Sequence, residues 1–89
     1  MTTLLLTHPA CLDHRPGPHH PERPERLSAI LQVLDGESFK DLARAEAPLA
    51  TTEQLTRVHP ANYVQAMLGA KPAAGEYAMI DGDTILSHG

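Results

Sequence analysis

Tryptophan is absent from this 89-residue chain, phenylalanine occurs once (Phe39), and tyrosine twice (Tyr63 and Tyr77). The 42% apolar content is therefore mostly alanine and leucine. A chain of this length buries only about 60% of its unfolded surface. With so few large rings to fill a core, an isolated domain made from it is shallow and marginal.

Cysteine is nearly missing too. The single Cys11 excludes an internal disulfide framework and fits a reducing compartment. No excess of positive charge exists: the formal net charge is −4 and the pI about 5.8. That argues against a nucleic-acid partner, which calls for a basic face, and no Lys/Arg run or basic amphipathic helix suggests a membrane surface. The start, Met1-Thr2-Thr3-Leu4-Leu5-Leu6, has no basic leader and only three apolar residues in a row, so neither a signal peptide nor a membrane span is expected. The expected location is the cytoplasm.

Thr2–Thr7 reads as a short strand, apolar without alternation, which suits a parallel sheet covered on both faces. The prolines and glycine at 9, 16, 17, 18 and 21 make the next segment a long loop rich in histidine and charge. A helix is expected from Pro24, with Glu25 in its first turn, the apolar stripe Leu27, Ile30, Leu31 and Leu34, and a stop at Asp35-Gly36. Phe39 and Leu42 suit a short helical turn, and Ala43–Ala47 an extended run before Pro48. Thr51 and Gln54 have capping-box spacing for a helix that turns Leu55 and Val58 inward. Another helix is expected to begin on Pro60, with Tyr63, Val64, Met67 and Leu68 on a core-facing side and Gly69 at its end. Tyr77–Ile80 is briefly extended, and Asp81-Gly82-Asp83-Thr84 is a turn. One strand, or at most two, does not close an α/β layer, so a lone buried-type strand lacks neighbours and the chain reads as the first part of something larger.

Several constellations carry chemistry. His8, Cys11, Asp13, His14, His19 and His20 lie within thirteen residues and offer zinc-type donors, with a Cys-x-x-His spacing. No second ligand pair follows, and the adjacent His19 and His20 point apart in extended chain, so loop histidines bonding backbone are the favoured reading. Cys11 as a nucleophile has no base fixed beside it; a buried, inert thiol is expected. Arg23 and Arg26 are spaced to project from one side of a helix start, and arginine grips carboxylates bidentately. A solvated first turn paired with Glu22 and Glu25 is favoured for Arg23, while for Arg26 both readings stand. Asp81, Asp83 and Thr84 could flank a cation, but side chains bonding their own turn is the simpler account. His59 is expected to cap or pack at a helix junction.

Taken in order, His8-Pro9-Ala10-Cys11-Leu12-x-His14, Gly17, and His20-Pro21-Glu22-Arg23-Pro24-x-Arg26-Leu27 resemble the N-terminal region of the histone deacetylase and acetylpolyamine amidohydrolase family. The similarity is to its bacterial, class-II-like branch. Val58-His59-x-x-x-Tyr63-Val64 and Asp81-x-Asp83-Thr84 agree at appropriate distances. The sequence departs from the pattern at Arg15, where an acid is common, and at His19, where glycine is common.

The resemblance implies an α/β fold of the arginase-deacetylase type. Residues 1–89 would be the N-terminal portion of that parallel-sheet domain, incomplete in this chain. It implies a zinc-dependent amidohydrolase acting on acetyl-lysine or acetylated polyamines and releasing acetate. The family's zinc ligands and catalytic histidine pair lie beyond the matched region, so no catalytic or metal residue is expected here, and no zinc bound. His19-His20 echoes that pair, but its place before Pro-Glu-x-Pro identifies a first-loop motif. By the same resemblance His20 and Pro21 border the substrate channel, Arg26 lines a pocket behind the metal, and Asp83 sits near a rim that meets substrate. The competing expectation is a small stand-alone metal-binding or interaction module using the His8–His20 cluster.

Overall fold

The computed structural model describes residues 1–89. Strand β1 (Leu4–Thr7) is followed by a 3-10 turn at Pro9–Leu12, helix α1 (Pro24–Leu34), a second 3-10 turn at Glu37–Phe39, and strand β2 (Ala43–Glu46). Helices α2 (Thr52–Thr56) and α3 (Ala61–Gly69) come next, then strands β3 (Ala78–Met79) and β4 (Ile85–Leu86). No helix is long and apolar enough to cross a membrane.

β1 and β2 pair in parallel, Leu4 opposite Ala43 through Thr7 opposite Glu46, and α1 lies on the crossover between them. This corrects the expectation that the first strand finds no neighbour in its own chain. The Thr3 and Thr7 carbonyls accept from the Ala43 and Ala47 amides at 3.0 and 2.8 Å, which closes the ladder at both ends. β3 and β4 form a separate antiparallel hairpin, with Ala78 opposite Leu86. β4 was not legible as a strand: two residues are too few to show an alternation.

α1 starts with Pro24 in its first turn and Glu25 at the positive end of the dipole, as expected. It ends at Asp35, and Arg44 from β2 reaches its C-terminus, donating to the Leu34 carbonyl and to Asp35 Oδ1 at 3.2 Å. A cation there offsets the negative end of the helix and satisfies an orphan carbonyl. α2 opens on the full Thr51/Gln54 capping box, with both reciprocal bonds formed at 2.9 and 3.1 Å.

The core is small. Val64, 4% exposed, is its one buried hydrophobic residue, and Pro16 is buried in the first loop. Three expected inward positions lie outside. α2 stops at Thr56, so Val58 falls in the following turn and is exposed. Tyr63 and Leu68 on α3 are exposed as well, because α2 covers only the part of that face holding Val64 and Met67. Pro60 stands at the N-cap of α3 rather than within its first turn.

Total accessible surface is 6992 Å². A compact monomer of 9.6 kDa exposes about 5,100 Å². The radius of gyration, 15.8 Å, likewise exceeds the roughly 12 Å of a compact chain this long. The molecule is open, with much apolar surface facing outward.

Candidate functional site

The histidine-rich first loop is partly ordered by its own side chains. His8 caps the turn at Pro9–Leu12: its Nδ1 accepts from the Ala10 amide at 3.0 Å. That leaves the proton on Nε2, which lies 3.1 Å from Glu46 Oε1. Glu46 is the last residue of β2 and His8 follows the last of β1, so this pair ties the carboxyl ends of the two parallel strands. Ligand sites of α/β sheets lie at that end. In the same turn Leu12 is the half-covered residue and Cys11 is exposed, which corrects the buried-thiol expectation.

His20 makes the longest-range polar contact to the hairpin. Its Nδ1 accepts from the Glu22 amide at 3.0 Å, so its Nε2 carries the proton and donates to the Asp83 carbonyl at 3.0 Å. The Asp83 carboxylate lies 3.5 Å from the same nitrogen. The imidazole is 16% exposed and the Asp83 side chain 94% exposed. The backbone of Asp83 thus holds the histidine, while its carboxylate stays in solvent.

The turn bearing Asp83 is pinned from within. Asp81 Oδ1 accepts from the Asp83 amide at 2.8 Å, and the Ile80 amide donates to the Thr84 carbonyl at 2.8 Å. The Asp83 amide, and next the Thr84 side chain, hold the Asp81 carboxyl below the ordinary carboxylate range. This is the self-bonded turn that composition favoured. Farther on, Ser87 Oγ accepts from the Arg15 amide at 2.9 Å, fastening the segment after β4 to the first loop.

Between loop and hairpin lies an open cleft of about 180 Å³, lined by His14, Pro16, His20, Glu22, Asp83 and Thr84, with Ile85 and Leu86 beyond. A larger cavity, about 300 Å³, lies near the start of α1 among Arg15, Arg23, Glu25 and Tyr77. It gathers exposed ends of long side chains and none of His20, Pro21, Arg26 or Asp83, so the smaller cleft is the candidate site.

Of the four expected site residues, His20 and Asp83 meet. Pro21 is exposed beside them. Arg26 does not line the cleft: it is 53% exposed and donates to Glu22 Oε1 at 3.0 Å. Glu22, which the solvated-turn reading gave as an arginine partner, bonds Arg26 with its carboxylate, and its amide donates to His20, the second role that the sequence did not show. An acid four residues before an arginine was a signal, but only for a surface pair. Arg23 is the N-cap of α1 in extended backbone, so it is not in helical register with Arg26. His19 sits without strain, since every positive φ in the chain belongs to glycine, Gly17 (φ 141) among them.

No three His, Cys, Asp or Glu side chains converge as a metal site. His8 is turned to Glu46 and His20 to Asp83, so these two histidines do not share a site. The residues of this chain therefore do not fit zinc by themselves.

No protein-family model matches the chain. Over 82 residues, 92% of its length, it is 32% identical to an uncharacterized protein of Methanocaldococcus jannaschii. The chain spans 23% of the length of that curated relative.

Proposed function

We propose that this chain is the N-terminal segment of a zinc-dependent deacetylase-like amidohydrolase, of the histone deacetylase and acetylpolyamine amidohydrolase type, with the arginase-deacetylase sheet. Acetyl-lysine or acetylated polyamine is its substrate class, acetate its product, and the cytoplasm its place. One observation carries the reading. Two of the stretches that carry the resemblance, the more specific His20–Leu27 and the weaker Asp81–Thr84, are far apart in sequence, yet they face each other across one cleft through the 3.0 Å bond from His20 to Asp83.

In this reading His20 and Pro21 form a wall of the substrate channel. The solvent-facing Asp83 carboxylate is free to accept hydrogen bonds from substrate amides or to meet the cation of a polyamine. Arg26, held by Glu22, would reach the pocket behind the metal only after exchanging that partner. In this reading the metal ligands come from outside these 89 residues.

Two measurements test the proposal. Native mass spectrometry of the isolated chain with added zinc is expected to find no stoichiometric metal; one zinc per chain would favour the His8–His20 module instead. Combined with the part of the M. jannaschii relative outside the match and loaded with zinc, the chain is expected to support acetate release from an acetyl-lysine peptide or acetylated spermidine. A folded, zinc-loaded complex inert toward both would overturn the substrate class.

A further inference from the structure

The cleft between the first loop and the hairpin is braced at both ends. At one, His20 donates to the Asp83 carbonyl. At the other, the Ser87 hydroxyl accepts from the Arg15 amide at 2.9 Å and donates to the Asp13 carbonyl at 3.5 Å. Those two backbone groups flank His14. The segment after β4 also passes so close to Asp13 that a side chain at Gly89 would meet its backbone. His14, half-buried, therefore borders the cleft from a stretch of loop that is held on both sides.

Most other imidazoles of the chain are engaged. The rings of His8, His20 and His88 bond backbone groups or face a carboxylate, and His59 stacks on Tyr63. His19 is exposed and does not border the cleft. His14 does border it, and neither of its ring nitrogens is hydrogen-bonded or ion-paired. On the facing wall the Asp83 carboxylate stands in solvent, while that of Glu22 is taken by Arg26. The open groups are thus an imidazole on the loop and a carboxylate on the hairpin. In either protonation form an imidazole has an N–H to give, and an ionised carboxylate only accepts. A donor on one wall and an acceptor on the other match a peptide backbone, which carries C=O and N–H groups side by side.

We propose that His14 is a substrate-binding residue of this cleft, positioned by Ser87, and that it donates to a backbone carbonyl beside an acetylated lysine while Asp83 accepts from a backbone N–H there. The inference rests on the deacetylase reading under Proposed function and chooses between its two substrate classes. A peptide offers both groups next to the acetyl-lysine side chain. An acetylated polyamine offers, beyond its acetyl group, amine N–H donors alone. These suit Asp83 but leave the His14 donor without an acceptor. A site built to bond a group discriminates against the molecule that lacks it. The cleft is thereby assigned to acetylated peptides.

The test titrates the 89-residue chain with a short peptide amide centred on acetyl-lysine and, separately, with acetylated spermidine, reading histidine-ring and backbone amide resonances. The peptide is expected to move the His14 ring and the Asp83 amide together. It should bind about three- to tenfold more weakly to His14→Phe, which keeps a ring but no donor. Ser87→Ala is expected to weaken peptide binding and to quicken exchange at the Arg15 amide while α3 holds its rates. Ser87→Thr, which keeps the hydroxyl, should restore both. The ring shift in the unsubstituted chain decides the matter even where His14→Phe fails to fold. Acetylated spermidine moving the His14 ring as far as the peptide does would overturn the substrate choice. A still His14 ring, whether or not Asp83 responds, would overturn its role. The zinc-loaded complex with the unmatched part of the M. jannaschii relative separates these failures from that of the underlying reading. Peptide hydrolysis with KM unchanged in His14→Phe would overturn this inference alone, whereas a folded complex inert toward both substrates would overturn the deacetylase reading.

Discussion

His20 Nε2 donates to the Asp83 carbonyl at 3.0 Å while its Nδ1 accepts from the Glu22 amide at 3.0 Å, so one neutral imidazole fastens the first loop to the hairpin turn. Both ring nitrogens are used, and the tautomer follows from the donor at Nδ1. The contact fixes where the Asp83 carboxylate stands relative to the loop. It also links Arg26, through Glu22, to the same unit.

Replacing His20 with alanine leaves the Glu22 amide and the Asp83 carbonyl without this partner. The expected cost is about 1 kcal/mol, the net value of a typical hydrogen bond. Amide exchange should quicken at Glu22 and across Thr84–Leu86 while the α3 amides hold their rates. Unchanged exchange in the hairpin would show that His20 does not hold it.

Asp81 gives the turn a pH dependence of known sign. Its carboxyl titrates below the ordinary value because the ionised form accepts from the Asp83 amide. The contribution is therefore fully present above the unfolded pKa and is lost as pH falls through the lower, folded one. The Asp83 amide resonance should move in that acidic window and lie flat in Asp81→Asn. An inflection at or above the ordinary aspartate value would contradict the turn geometry.

Arg44→Ala uncaps α1 and unties it from β2, since it removes both the bond to the Leu34 carbonyl and the pair with Asp35. Both partners are partly in solvent, so the expected loss is about 1 kcal/mol in urea unfolding. Arg44→Lys should recover part of it, because an ammonium still meets the helix end but cannot fork. Equal stability of all three proteins would show that the contact contributes nothing.

Thr51→Ala removes the side-chain half of the capping box, at an expected cost of about 1 kcal/mol. Val64→Ala removes two methyl groups from the one buried hydrophobic side chain, for about 1.5–2 kcal/mol. The valine substitution should lower the denaturation midpoint more than the threonine one. The reverse order would mean that caps, not packing, hold the two helices together.

Helices with strong local punctuation were legible in advance. Pro24 with Glu25, the 3.6-residue leucine stripe, and the Thr51/Gln54 box each depend on neighbours a few residues away, and each formed. The Ala43–Ala47 extension was also readable, although its role as the partner of β1 was not. Pairing across 39 residues has no local signature. Expectations about inwardness fared worse at Val58 and Tyr63, since helical spacing says which residues share a face but not whether anything covers it.

Sequence alone determined the shallow core, the net negative charge, the entry and stop of α1, and the chemical inventory of the first loop. These follow from composition and from bonds between near neighbours. Only the tertiary structure decided that His8 serves Glu46 and that His20 serves Asp83. Each of those hydrogen bonds depends on where a turn places its donor to within about half an ångström, and that placement is set by chain crossings such as the β1–β2 pairing, which no run of residues contains.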